Sequence, residues 1–245
     1  MNAISADMKR PIQMYRLLQG DVGSGKTIVA AGAIVAAQSA NVQSAFMAPT
    51  EILAEQHFQS LQAIYKDFDI NVVLLTSSTS AKERRELLID LKKGKIDCVV
   101  GTHALIQEDV IFSHLGLVVI DEQHRFGVNQ RKALREKGEH PDVLFMTATP
   151  IPRTLSMTAY GEMDVTTINE MPPGRLPIKT YWIRKKQLKN LMNTIMKELK
   201  KDSQIYVISP LIEESDALDL ENATRLAEIY RQTFSPAYRV ALLHG

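Results

Sequence analysis

Residues 20–27 read Gly-Asp-Val-Gly-Ser-Gly-Lys-Thr, which fits the pattern G-x-x-x-x-G-K-[ST]. Gly20, Gly23 and Gly25 let the backbone turn so that its N–H groups, together with those of Asp21 and Ser24, face phosphate oxygens. Lys26 can reach the β and γ phosphates of a nucleoside triphosphate, and Thr27 can offer its hydroxyl to Mg2+. A glycine-rich turn that binds nothing is the plain alternative. A second group of candidates is Asp121 and Glu122, two carboxylates that end the apolar run Leu117-Val118-Val119-Ile120. Asp121 would hold Mg2+ beside Thr27, and Glu122 would orient and deprotonate an attacking water. Paired acids there favour hydrolysis by water over transfer to a sugar or protein hydroxyl. Taken alone, they read equally well as the acids of a helix first turn.

Gln123 and His124 follow the acids directly, and Thr147 and Thr149 follow the next apolar run in Thr147-Ala148-Thr149-Pro150. Amide, imidazole and hydroxyl groups at such places can sense whether a γ phosphate is present. For the two threonines, a turn or helix-capping role is the alternative.

These groups act together only if one scaffold carries them to one edge. Short apolar runs at 14–18, 44–48, 72–75, 98–100, 117–120, 143–146 and 165–168 alternate with helix-period segments, the pattern of βαβ units around a parallel sheet. In such a sheet every strand delivers its C-terminal residues to the same side. Ala54, Phe58, Leu61 and Tyr65 fall at steps of four, three and four and predict a helix that begins near Thr50 and backs onto the sheet. Lys92, Lys93 and Lys95 close another predicted helix, where cations suit the C-terminal dipole end. Residues 171–177 hold three prolines and a glycine, which forbids a continuing helix or central strand and predicts an interdomain linker. Beyond it, strands are predicted at 179–183, 205–208 and 240–243, with helices over 188–199 and 223–234. A parallel strand followed by glycine normally feeds a further crossover, so the stop at His244-Gly245 predicts a second domain cut short. The predicted organisation is a first lobe over 1–170, a linker over 171–178 and a truncated second lobe over 179–245.

The chain of 245 residues, 45% apolar and 23% charged, has the composition of a globular protein with real cores. That excludes a disordered chain, a collagen-like chain and a disulfide-stapled miniprotein. A net charge of +1 announces neither nucleic acid nor an anionic membrane, so any phosphate recognition must come from local patches. Cys98, the single cysteine, sits in an apolar run and reads as a core residue. The apolar stretch 28–37 is too short to span a bilayer, which predicts a protein of the cytoplasm.

Five motifs carry a resemblance: residues 20–27; Ala-Pro-Thr-Glu-Ile-Leu-Ala-Glu-Gln-His (48–57); Gly-Thr-His-Ala (101–104); Asp-Glu-Gln-His-Arg-Phe-Gly-Val (121–128); and Thr-Ala-Thr-Pro-Ile-Pro-Arg-Thr (147–154). Together they resemble the superfamily 2 helicases and, more narrowly, the RecG family of bacterial ATP-dependent translocases that remodel stalled forks and Holliday junctions. Residues 157–161, 172–175 and 211–215 are similar to that family too. The resemblance implies a RecA-like P-loop NTPase lobe followed by an incomplete second RecA-like lobe, ATP and Mg2+ as ligands, and branched or double-stranded DNA as partner. It further implies a monomeric motor associated with the bacterial nucleoid and acting in recombination and repair. By the same resemblance, Pro49, Thr50 and Glu51 with Gly101, Thr102 and His103 track DNA, and Gln123, His124 and Thr147 couple nucleotide state to DNA grip. Thr50 and Thr102 each follow a strand and can open a helix, offering hydroxyl and N–H donors to a backbone phosphate. An N-cap that binds nothing is the bland alternative. Arg125, Arg131 and Lys132 read equally well as a DNA face or a solvated helix surface.

Only nineteen residues precede Gly20, which leaves no room for the family's wedge domain that reads branched DNA. No Arg of this chain occupies the family's arginine-finger motifs, so the expectation for the isolated chain is ATP binding with slow turnover. A module that binds ATP and DNA without useful turnover is therefore an alternative. A transcription-repair coupling translocase is another, against which Gln123 counts, because that relative usually shows Glu there.

Overall fold

In the computed structural model, which describes residues 2–122, 126–149, 163–170, 178–184, 188–209 and 223–243, seven apolar runs pair into one sheet. The strands are β1 (Tyr15–Gly20), β2 (Gln43–Met47), β3 (Val72–Leu75), β4 (Cys98–Gly101), β5 (Leu115–Asp121), β6 (Asp142–Thr147) and β7 (Asp164–Ile168). Their order is β3-β4-β2-β5-β6-β1-β7, and every ladder is parallel. Parallel neighbours require a crossover, and helices supply most of them: α1 (Asn2–Asp7) precedes β1, α2 (Lys26–Ser39) follows it, then α3 (Glu51–Ile64) and α4 (Ala81–Lys92). A short 3-10 turn, His103–Ile106, follows β4, and α5 (Val128–Arg135) follows β5.

The two faces of the sheet bury separate layers, because successive strand residues point to opposite sides. Leu18, Phe46, Leu117, Val119 and Leu144 pack under Ala30, Ala33, Ile34, Ala54 and Leu61. Their chain neighbours Leu17, Ala45, Met47, Val118 and Val143 pack on the other face with Leu91, Leu105 and Leu134. The central strand β2 is buried at all five residues, as expected of a strand covered on both sides. The alanines of α2 let that helix lie close to the sheet, and Ser80 with Glu83 forms a reciprocal capping box that starts α4. Cys98 is fully buried, as its apolar run predicts, and burial pushes its thiol up, away from reactivity. Lys93 caps α4, and Lys95 pairs with Asp90 at 2.9 Å.

The described chain falls into two compact units, Met1–Arg175 and Leu176–Gly245. In the second unit α6 (Leu188–Leu199) and α7 (Ala223–Phe234) form where the apolar spacing places them. The strands expected at 179–183, 205–208 and 240–243 do not form. A strand exists only with a hydrogen-bonded neighbour, and among the described residues these segments have none; Trp182, Ile208 and Leu243 are largely exposed. The predicted linker lies outside the described residues except for Ile178, as do residues 157–161 and 211–215. No described helix is long and apolar enough to cross a membrane.

Candidate functional site

At the C-terminal edge of the sheet, strand order sets the order of the candidate residues. Gly20 ends β1, Thr147 ends β6 beside it, and Asp121 ends β5 next along. Further on, β2 leads into Pro49 and Thr50, and β4 leads through Gly101 into Thr102 and His103. Gln123, His124 and Arg125 lie outside the described residues.

The phosphate loop spans the turn from β1 into α2. Gly23 and Gly25 adopt left-handed backbone with φ of 78° and 92°, open to glycine at no steric cost. Gly25 is also the N-cap of α2, so Lys26 and Thr27 occupy the helix first turn, where N–H groups lack helical partners. Lys26 folds back onto its own loop, and its Nζ donates to the carbonyls of Gly20 at 2.7 Å and Asp21 at 2.9 Å. The Asp21 side chain accepts from the N–H of Val22 at 2.7 Å. Ser24 carries a buried hydroxyl with no hydrogen-bond partner among the described residues. An ammonium resting on carbonyls and an unused buried hydroxyl suit a phosphate chain.

Asp121 is 8% exposed and accepts at Oδ2 from Nε2 of His57 at 2.8 Å. Glu122 takes φ of 48°, a left-handed conformation that costs a non-glycine residue roughly 1–2 kcal/mol and that often marks a functional turn. Its Oε2 lies 3.4 Å from the hydroxyl of fully buried Thr147, and that hydroxyl also accepts from the N–H of Thr149 at 3.1 Å. Among the described residues no cluster of three or more His, Cys, Asp or Glu side chains could hold a metal. Mg2+ needs no such cage, being held elsewhere by one or two carboxylates with substrate phosphates. Asp121 and Thr27 are hard oxygen donors of that kind.

On the other half of the edge, Thr50 is the N-cap of α3, its hydroxyl accepting from the N–H of Leu53 at 3.3 Å. Glu51 accepts from the N–H of Ser77 at 2.9 Å and so ties α3 to the loop after β3. Thr102 precedes the 3-10 turn but makes no side-chain cap; its hydroxyl is buried and has no partner among the described residues. His103 is exposed. Arg131 and Lys132 lie on α5, where Lys132 approaches Glu136 at 3.6 Å. A separate cleft lined by Asp7, Arg10, Tyr15, Arg135 and Asp164 holds none of the candidate residues.

Sequence reasoning singled out no role for His57. A histidine on the apolar face that holds Ala54 and Leu61 reads as core, and the one available signal was its place closing the motif 48–57.

Residues 7–158 match the DEAD/DEAH box helicase family. The chain belongs to that family. Among curated relatives, ATP-dependent DNA helicase RecG of Streptococcus pneumoniae serotype 4 is 57% identical over 245 residues, and that of Bacillus subtilis is 56% identical. Both alignments take in 100% of this chain, which spans 36% of the length of those relatives. Among solved structures, RecG bound to a three-way DNA junction superimposes with a TM-score of 0.78 at 42% identity, over 94% of this chain and 30% of that one. The Pyrococcus furiosus Hef helicase domain, at 21% identity and a TM-score of 0.52, covers 97% of this DEAD/DEAH box chain and 53% of its own. That likeness speaks to the fold alone. The seven-stranded parallel sheet flanked by helices is the sheet of a RecA-like helicase lobe.

Proposed function

We propose that this chain is the central motor portion of a RecG-type helicase, which uses ATP hydrolysis to move on double-stranded or branched DNA in recombination and repair. Residues 1–170 form the ATP-binding lobe, 171–178 the linker and 179–245 the start of a second RecA-like lobe. The protein acts as a monomer in the bacterial cytoplasm, on the nucleoid. The observation that carries this reading is the division of one sheet edge: the phosphate loop, Thr147 and Asp121 occupy adjacent strand ends, and Thr50 and Thr102 follow the next strands over.

Lys26 exchanges the carbonyls of Gly20 and Asp21 for the β and γ phosphates, and the loop N–H groups from Gly20 to Thr27 cradle them. Thr27 and Asp121 hold Mg2+, which when bound neutralises charge on the phosphate oxygens. Glu122 orients the attacking water and takes its proton. Thr147, Thr149, Gln123 and His124 relate the state of this half to the DNA half. There Pro49, Thr50, Glu51, Gly101, Thr102 and His103 follow one strand of the duplex through backbone phosphate contacts. Branched DNA is the favoured substrate because the 42% identical RecG structure was solved on a three-way junction.

The test is the affinity of the 245-residue chain for a fluorescent three-way junction, measured by anisotropy with and without Mg2+ and a non-hydrolysable ATP analogue. A motor changes its grip with nucleotide, and thermodynamic reciprocity requires the junction to change nucleotide affinity by the same factor. A junction affinity unchanged by nucleotide, or no junction binding at 50 mM salt, contradicts the proposal.

A further inference from the structure

Asp121 is a buried carboxylate at the end of a strand, and a carboxylate there can rotate about its χ2 unless something fixes it. His57 touches it from α3. Its Nε2 stands 2.8 Å from Oδ2, and because an ionised carboxylate only accepts, that nitrogen carries the proton and donates. The imidazole is itself fixed. Its ring lies 4.6 Å from the ring of Phe46 at an angle of 42°, and Phe46 is fully buried in β2, in register with Val119 two residues before Asp121. The His57 side chain is 14% exposed and that of Asp121 is 11% exposed. One oxygen of the carboxylate is thus engaged from the helix side, which leaves Oδ1 for a partner on the other.

We propose that His57 is the positioning residue of Asp121: it holds the carboxylate in the rotamer that presents Oδ1 to the divalent cation bound with the nucleotide. This rests on the nucleotide site proposed above. Side chains that orient a metal ligand by hydrogen bonding typically cost ~10–100-fold in metal affinity when removed. The placement on α3 adds a consequence. His57 lies seven residues after Thr50 on one continuous helix, about 10 Å along its axis at 1.5 Å per residue. The helix that begins at the proposed DNA contact therefore holds the proposed metal ligand directly.

The experiment titrates Mn2+ into the 245-residue chain in the presence of a non-hydrolysable ATP analogue and follows ion uptake by electron paramagnetic resonance. Three variants accompany the parent. His57→Phe keeps a ring against Phe46 and removes the donor, His57→Gln returns an N–H that can reach the carboxylate, and Lys26→Ala tests the nucleotide site itself. The expected result is Mn2+ affinity ~10–100-fold weaker in His57→Phe, largely restored in His57→Gln, with metal-free binding of the analogue unchanged in both. Should His57→Phe fail to melt cooperatively, His57→Ala takes its place. A purely structural role predicts lower melting temperatures with unchanged Mn2+ affinity, and that result overturns the inference while Lys26-dependent uptake by the parent leaves the nucleotide site standing. If the parent takes up no Mn2+ with the analogue, both readings fall.

Discussion

Thr147 lies opposite Gln19 in the β1–β6 ladder, one residue before the first glycine of the phosphate loop. Its hydroxyl also stands 3.4 Å from a carboxylate oxygen of Glu122 and accepts from the N–H of Thr149. One fully buried hydroxyl is therefore set between the entry to the loop, the acid after β5 and the turn after β6.

Replacing Thr147 by Val keeps the shape and removes that hydroxyl. The N–H of Thr149 loses its acceptor, so urea denaturation should report a loss of about 1 kcal/mol. Under the proposed coupling role, nucleotide should then shift junction affinity less than in the parent, while each ligand still binds by itself. Unaltered linkage in Thr147→Val would remove Thr147 from the coupling path.

Gly25 and Gly101 are glycines for different reasons, and alanine should separate them. At Gly25 an added Cβ meets nothing within 4 Å, but φ of +92° is left-handed backbone, so Gly25→Ala should strain or refold the loop at a cost of about 1–2 kcal/mol. Nucleotide affinity should fall with it. At Gly101 a Cβ would collide with the carbonyl oxygen of Leu75 and press on Leu105 at 3.0 Å, forcing β3 and β4 apart at a cost of about 1–3 kcal/mol. Gly101→Ala should lower the urea midpoint and leave nucleotide affinity near that of the parent.

Gln43 is 5% exposed and satisfies four backbone groups at once. Its Nε2 donates to the carbonyls of Leu91 at 3.0 Å and Ile96 at 2.8 Å, and its Oε1 accepts from the N–H groups of Ser113 at 2.7 Å and His114 at 3.0 Å. Gln43→Leu strands the carbonyl of Ile96 and the N–H groups of Ser113 and His114, while Leu91 keeps the N–H of Gly94 at 3.1 Å; buried unsatisfied groups are costly, so the stability loss should be about 3 kcal/mol. Chemical denaturation checks this directly, and a loss below about 1 kcal/mol would mean that water takes over the three groups.

Asp142 gives a pH signature. Burial raises its pKa most, the N–H of Met14 at 2.6 Å opposes that, and the charge of Asp7 adds to the rise. The folded state therefore binds this proton more tightly than the unfolded state, and the contribution of Asp142 to stability falls as pH rises from about 4 through the raised value. Asn keeps the acceptor without the charge. Melting temperatures of parent and Asp142→Asn should accordingly diverge in favour of the variant as pH rises from about 4.

The sheet was legible because each strand is a short apolar run bounded by turn residues or a helix-period segment, and the seven runs read from the sequence are the seven strands observed. Steps of three and four around Ala54 and Leu61 likewise marked α3, and Thr50 marked its start. The apolar segments of the second unit misled because pairing is a property of two segments, and alternation in one cannot supply its neighbour. His57 and Gln43 were hidden for a related reason: a polar residue inside an apolar pattern declares nothing about the distant group that satisfies it. Their partners, Asp121 and the backbone around 91–96 and 113–114, come together only through strand order.

In the proposed mechanism, the edge formed by β1, β6 and β5 binds a nucleoside triphosphate through Lys26 with a divalent cation on Asp121. Isothermal titration of ATP into the 245-residue chain, with and without Mg2+, tests it most directly, alongside Lys26→Ala and Asp121→Ala. The expected result is Mg2+-dependent binding that weakens about 10-fold or more in Lys26→Ala, in line with the loss of charge-assisted hydrogen bonds, and loss of the Mg2+ dependence in Asp121→Ala. Binding that ignores Mg2+ and survives Lys26→Ala unchanged would contradict it.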